Sequence, residues 1–235
     1  MKGNFDNDIE QEQILTPIVI DIITDYLQTQ KIITNIINFD ENKKAQIQGI
    51  DFTMYSTIKN KTWNVDLKCQ TNKYVNNPTN TFCLELCYTL QDEAKAGWFI
   101  KKDNLTDYYL FAWLQNVEVT NGAMVTSIDQ INEMDLMFVY KKDIYDYFRQ
   151  KGFHILDLLK DADKLVQSGK TTMYAHTENS SVKMVYSKNM VEKPVNIILS
   201  KYIYFSMPKT IYLTYSKDKG IAKTKHLVYY TRHIA

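Results

Sequence analysis

In the stretch QGIDFTMYSTIKNKTWNVDLKCQ, residues 48–70, two carboxylates and an ammonium are spaced so that they can meet. The segment NVDLKCQ alternates Val65, Leu67 and Cys69 with Asp66, Lys68 and Gln70, the period of a strand with one apolar and one polar face. Asp51 lies in the preceding strand-like run, IQGIDFTMYS, and pairing of the two runs brings both carboxylates to one side of a sheet. Carboxylates at close range repel, and a hard divalent cation such as Mg2+ relieves the repulsion. The backbone carbonyl of Leu67 offers a third protein ligand. Lys68 points to the same face as Asp66, where it can orient a water or stabilise developing charge, and Gln70 stands next on that face to assist. Such a group suits attack of a metal-activated water on a phosphodiester. The plain alternative is the solvated polar face of an edge strand.

The elements that must hold these residues follow from periodicity. Residues 8–29 carry Ile14, Ile18, Ile22 and Ile23 at helical spacing. Pro17 there either kinks the helix or opens a second one capped by Thr16. Residues 31–38 fit a helix end or a strand equally. From 47 the period becomes two: IQGIDFTMYS reads as a strand, IKNKT as a turn and WNVDLKCQ as the returning strand. Residues 80–90 alternate Phe82, Leu84, Leu86 and Tyr88 against Cys83, Glu85 and Cys87, and DYYLFAW forms a further aromatic strand. Helical spacing returns over 141–168, split around Gly152. Strand-like, lysine-bearing runs MVYSKNM, NIILSKYIYFS, TIYLTYS and HLVYYTR follow. The predicted class is mixed α/β (α+β), without a βαβαβ alternation.

Gly49-Ile50-Asp51 followed by Asp66-Leu67-Lys68 on a second strand resembles the PD-(D/E)XK nuclease superfamily, with its restriction-endonuclease-like fold. The resemblance implies a core over residues 1–120, with a central mixed sheet flanked by helices, and a basic α+β extension over 121–235 for nucleic-acid binding or dimerisation. It implies that Asp51 and Asp66 bind Mg2+ or Mn2+ and that Lys68 assists the attacking water. A glutamate in the helix before the core strands matches Glu12, or less well Glu10. The pattern FCLELCY…GWF…TDYYLFAW, with EKPVNIIL at 192–199, looks like nuclease-like proteins of phages and mobile elements. The implied activity is hydrolysis of DNA, in preference to RNA, in recombination of the Holliday-junction kind or in interference with competing DNA. A homodimer is implied because cutting two strands needs two sites. The alternative in the same fold is an inactive protein that binds DNA or a host protein, and a third is a structural protein whose three side chains do not converge.

The net charge of +1 conceals a gradient: residues 1–50 sum to −4, 51–110 to 0, 111–150 to −3 and 151–235 to +8. A basic C-terminal third suits a phosphate-bearing partner, or is a lysine-rich solvated face. Cys69, Cys83 and Cys87 have no nearby His and lack zinc spacing, which points to reduced thiols in a cytoplasmic protein. The four histidines pair with no cysteine and with no other histidine at ligand spacing. SGKTT at 168–172 lacks the glycine of a P-loop, which excludes that route to nucleotide hydrolysis. The acidic start MKGNFDNDIEQEQ is unlike a signal peptide, and no run approaches the ~20 apolar residues of a membrane span. Glu85 reads as a structural polar partner, Trp98 and Phe99 as core, and Asp107 as either a strand cap or a residue facing the site.

Overall fold

The apolar stripe near the N-terminus becomes α1 (Asn4–Thr29), one helix that runs through Pro17. Thr16 is not a cap: its hydroxyl donates to the Glu12 carbonyl one turn back at 2.8 Å. The buried face is Leu15, Val19, Ile22, Ile23 and Leu27, with Ile14 and Ile18 half-buried at its border. This computed structural model describes residues 4–39, 42–56, 60–71, 74–90, 93–119, 124–178 and 180–224, with side chains from residue 11 onward. The run HLVYYTR, and the Glu10 side chain, lie outside the described residues.

The ambiguous 31–38 segment yields a strand, β1 (Asn35–Asn38), and a short α2 (Lys43–Ile47) follows. The next strand, β2 (Phe52–Ser56), begins five residues later than the alternation predicts. The cause is Gly49, whose φ of +72° turns the chain between α2 and β2. β3 (Lys61–Gln70) returns antiparallel, with Phe52 opposite Val65. β4 (Thr81–Leu90) and β5 (Glu93–Ala96) form a second hairpin. β6 (Tyr108–Val117) then lies parallel to β3, with Asp66 beside Tyr109. β7 (Ile131–Tyr140) leads into α3 (Lys141–Gln150) and α4 (Ile155–Gln167), two helices on either side of Gly152 as expected. β8 (Thr172–Thr177), β9 (Ser180–Tyr186) and β10 (Val195–Ser200) follow. The expected strand NIILSKYIYFS stops at Ser200, whose hydroxyl accepts the Ile203 N–H and opens α5 (Lys201–Phe205). β11 (Ile211–Ser216) and β12 (Gly220–Lys223) close the described chain.

The class is mixed α+β, as expected. A seven-stranded sheet has the order β1-β2-β3-β6-β7-β11-β12, and a five-stranded sheet the order β5-β4-β10-β9-β8. Both sheets take strands from either side of residue 120: β6 pairs with β7, and β4 with β10. The expected core and extension therefore share their sheets. Period two gives the large sheet two buried faces. Val65, Leu67, Leu110 and Ala112 pack with α1, while Tyr109, Phe111 and Trp113 pack on Phe82, Leu84 and Leu86 of the second sheet and on α3 and α4. No helix among the described residues is long and apolar enough to cross a membrane.

Candidate active site

The site forms where β2 ends short of β3. Phe52, the first residue of β2, is paired opposite Val65, so from Asp66 onward no strand among the described residues pairs with β3 on that side. The Leu67 N–H would be orphaned there, and the Asp51 carboxylate takes it, Oδ2 accepting at 2.7 Å. A strand residue's C=O leaves by the same edge as its N–H, so the Leu67 carbonyl also faces the gap beside Asp51.

Gly49 places Asp51. Beyond its positive φ, a Cβ at Gly49 would stand 2.5 Å from Asn104 Nδ2 and 2.7 Å from Thr106 Oγ1. The Thr106 hydroxyl donates to the Gly49 carbonyl at 2.6 Å, and the Asn104 amide donates to the Trp98 carbonyl at 3.0 Å. The Gly-x-Asp spacing thus has a mechanical reason: the loop over 97–107 closes against a position with no room for a side chain.

Asp66 is 3% exposed, and its Oδ1 lies 2.8 Å from Lys68 Nζ. The same ammonium stands 3.7 Å from Glu12 Oε2, which brings the helical glutamate into the group. Lys68 also stacks over the Trp98 ring, 5.6 Å from its centroid. Burial opposes the Lys68 charge, but the carboxylates of Asp66, Glu12 and Asp51 outweigh it and hold the ammonium well above its usual pKa. Burial, then the Asp66 charge, raises the Asp51 carboxyl well above the carboxylate range, against the pull of Lys68. Glu12, Asp51, Asp66 and Lys68 therefore converge, with more negative charge than Lys68 alone neutralises.

Gln70 stands apart from them. Its amide donates to Thr79 Oγ1 at 2.8 Å and to the Thr81 carbonyl at 2.6 Å, and its oxygen accepts the Thr79 N–H at 2.8 Å. Although it shares the face of Asp66 and Lys68, its polar atoms hold the chain leading into β4. Glu85 is a polar partner, accepting the Trp98 N–H at 3.3 Å, and burial raises its carboxyl to about 7. Phe99 is core and Trp98 is half-buried against Lys68. Asp107 accepts the Asn64 N–H at 2.9 Å where β6 begins.

Three residues near the group carry no signal in the local sequence pattern. Tyr109 is fully buried beside Asp66 on the same face, and its hydroxyl has no hydrogen-bond partner among the described residues. Lys141, at the start of α3, donates to Asn104 Oδ1 at 2.6 Å and feels the Asp66 charge. Asn104 ties both Lys141 and Trp98 to the loop. All three arrive through strand pairing and loop closure, which a local period does not encode.

Among the described residues no group of three or more His, Cys, Asp or Glu side chains is placed to hold a metal ion. A pair of carboxylates completed by a backbone carbonyl and waters is nevertheless the kind of site Mg2+ takes, since it dehydrates reluctantly and rarely uses an all-protein cage. The excess negative charge around Asp51 fits that cation. No family model, curated protein or solved structure matches the chain.

Proposed function

We propose that this chain is a metal-dependent nuclease with a restriction-endonuclease-like core, hydrolysing DNA phosphodiester bonds at the Asp51–Asp66–Lys68 group. The observation that supports it best is the convergence of Asp51, Asp66 and Lys68 at the open edge of β3, with Glu12 approaching from α1. A bound Mg2+ or Mn2+ would supply a polarised water and neutralise phosphate charge.

The protein's own groups do the rest. Asp51 and Asp66, with the Leu67 carbonyl, would hold the cation, and Glu12 adds negative charge beside Lys68. Lys68 is an ammonium in the metal-free site, so it serves as a fixed positive charge. It draws the phosphodiester in and stabilises the negative charge that develops as water attacks phosphorus and the bond to the leaving oxygen breaks. The Trp98 ring and the loop over 97–107 shield one side of that ammonium from solvent. The group sits between β3 and β4, where the two sheets approach.

The test is cleavage of supercoiled plasmid, linear duplex, single strand, four-way junction and RNA with Mg2+ or Mn2+, beside Asp66→Asn and Lys68→Met variants. Activity that needs metal and disappears in both variants supports the reading. Metal-independent binding without cleavage on every substrate would leave the alternative, an inactive nuclease-like protein that holds DNA.

A further inference from the structure

The five-stranded sheet has one buried face and one that is exposed on β8 and β9 and half-buried on β10 and β4. Val182, Met184, Ile197, Leu199, Leu84 and Leu86 fill the buried side. On the open side the register aligns Tyr174 with Lys183, Lys183 with Ile198, and Ile198 with Cys83. The neighbouring row runs Thr172, Val185, Asn196 and Glu85. Both rows lead to the candidate site: Glu85 accepts the Trp98 N–H, and Trp98 lies under the Lys68 ammonium. Three inter-strand steps span roughly 14 Å at ~4.8 Å each, room for a short run of nucleotides.

The far end of this track has the chemistry of a polynucleotide surface. Tyr174 is 52% exposed, a large aromatic on an outer strand, with His176 exposed beside it, their ring centroids 6.3 Å apart. Lys183 is exposed next to Tyr174 on the same face, and Lys170 and Lys188 stand at the sheet's end. A base stacks on any aromatic face regardless of its identity, and lysines at intervals meet the phosphates.

We propose that the open face of the five-stranded sheet is a docking track for single-stranded DNA, which stacks on Tyr174, contacts Lys183 through phosphate and passes over Cys83 and Glu85 to the Asp66–Lys68 centre. The assignment of DNA rests on the nuclease reading above; the track itself rests on the register and the exposed side chains. It gives the site a substrate shape, a strand laid flat across β8, β9, β10 and β4.

The test is fluorescence anisotropy of a labelled oligodeoxythymidine in EDTA, which removes cleavage from the measurement. Tyr174→Ala should weaken binding by about tenfold, the loss of one stacked base. Lys183→Ala should weaken it and lower the salt slope by about one. Lys160→Ala, on the exposed side of α4, should change nothing, and a duplex of the same length should bind less tightly. Wild-type binding by both sheet variants, an equal loss in Lys160→Ala, or preference for duplex or for RNA would overturn the proposal. Asp66→Asn separates the two readings. Tyr174-dependent binding with no cleavage by wild type removes the nuclease and keeps the track. Cleavage lost in Asp66→Asn but untouched in Tyr174→Ala keeps the nuclease and removes the track.

Discussion

Glu12 on α1 and Lys68 on β3 meet at the gap where β2 stops, their charged atoms 3.7 Å apart. The contact ties a helix packed on one side of the large sheet to a side chain on the other. Lys68 thereby faces Glu12, Asp51 and Asp66 at once. The metal-free site is short of positive charge, and that shortage is measurable.

Asp51→Asn should raise the melting temperature of the metal-free protein at about pH 8 and leave it unchanged near pH 4. The Asp51 carboxyl has a folded pKa above its unfolded value, so the unfolded state loses the proton first and stability falls as pH rises through that window. The asparagine oxygen can still accept the Leu67 N–H. Mg2+ at a hundredfold excess over its Kd should stabilise the wild type by about 2.7 kcal/mol and the variant much less. Differential scanning calorimetry checks both, and equal metal responses would remove Asp51 from the ligand set.

Glu85 offers a second pH effect with a stated window. Its carboxyl rises to about 7, chiefly through burial, so its ionisation works against folding between about pH 4.3 and that value. Stability is therefore highest on the acid side of the window. Glu85→Gln, which keeps an acceptor for the Trp98 N–H, should gain roughly 1–3 kcal/mol at about pH 8 and nothing near pH 4 in urea titrations.

Gly49→Ala combines a left-handed backbone with two contacts under 3 Å. It should cost about 1–3 kcal/mol in stability. Because any accommodation moves Asp51 or the loop over 97–107, cleavage measured below the melting temperature should drop by about a hundredfold. A variant that melts lower yet cleaves normally would show that Gly49 serves the fold alone.

Gln70→Leu should do the reverse. Its amide bonds to Thr79 and Thr81 stabilise the start of β4, so the variant should lose roughly 1–3 kcal/mol. Metal-dependent cleavage per folded molecule should remain, and a specific loss of kcat would restore Gln70 to the chemistry.

The β2–β3 hairpin, the alternation in β4 and the helices around Gly152 were legible because each is a local period bounded by a turn. β7 was not: INEMDLMFVY is buried along most of its length on both faces, so its second half, LMFVY, is a continuous apolar run and its first half, broken by Asn132, Glu133 and Asp135, keeps no period. The late start of β2 was hidden because IQGID alternates on paper while Gly49 turns the backbone. For the site, period two correctly put Asp66 and Lys68 on one face. It put Gln70 there too, and said nothing of the distance to the segment over 79–81 that occupies its amide. Lys141, Tyr109 and Asn104 enter from distant parts of the chain, which no local pattern reports.

The interleaving of the sheets carries a consequence for how the molecule comes into being. On a chain made from its N-terminus, Asp51, Asp66 and Lys68 emerge early, yet β6 waits for β7 and β4 waits for β10. Until residues beyond 195 are available, β4 lacks the neighbour that backs Cys83 and Glu85, and the wall of the site opposite β3 has no support. Such long-range closure folds slowly. The acids of a nascent chain are thus present but unassembled, and the Asp51–Asp66–Lys68 group comes together only when most of the protein has been made.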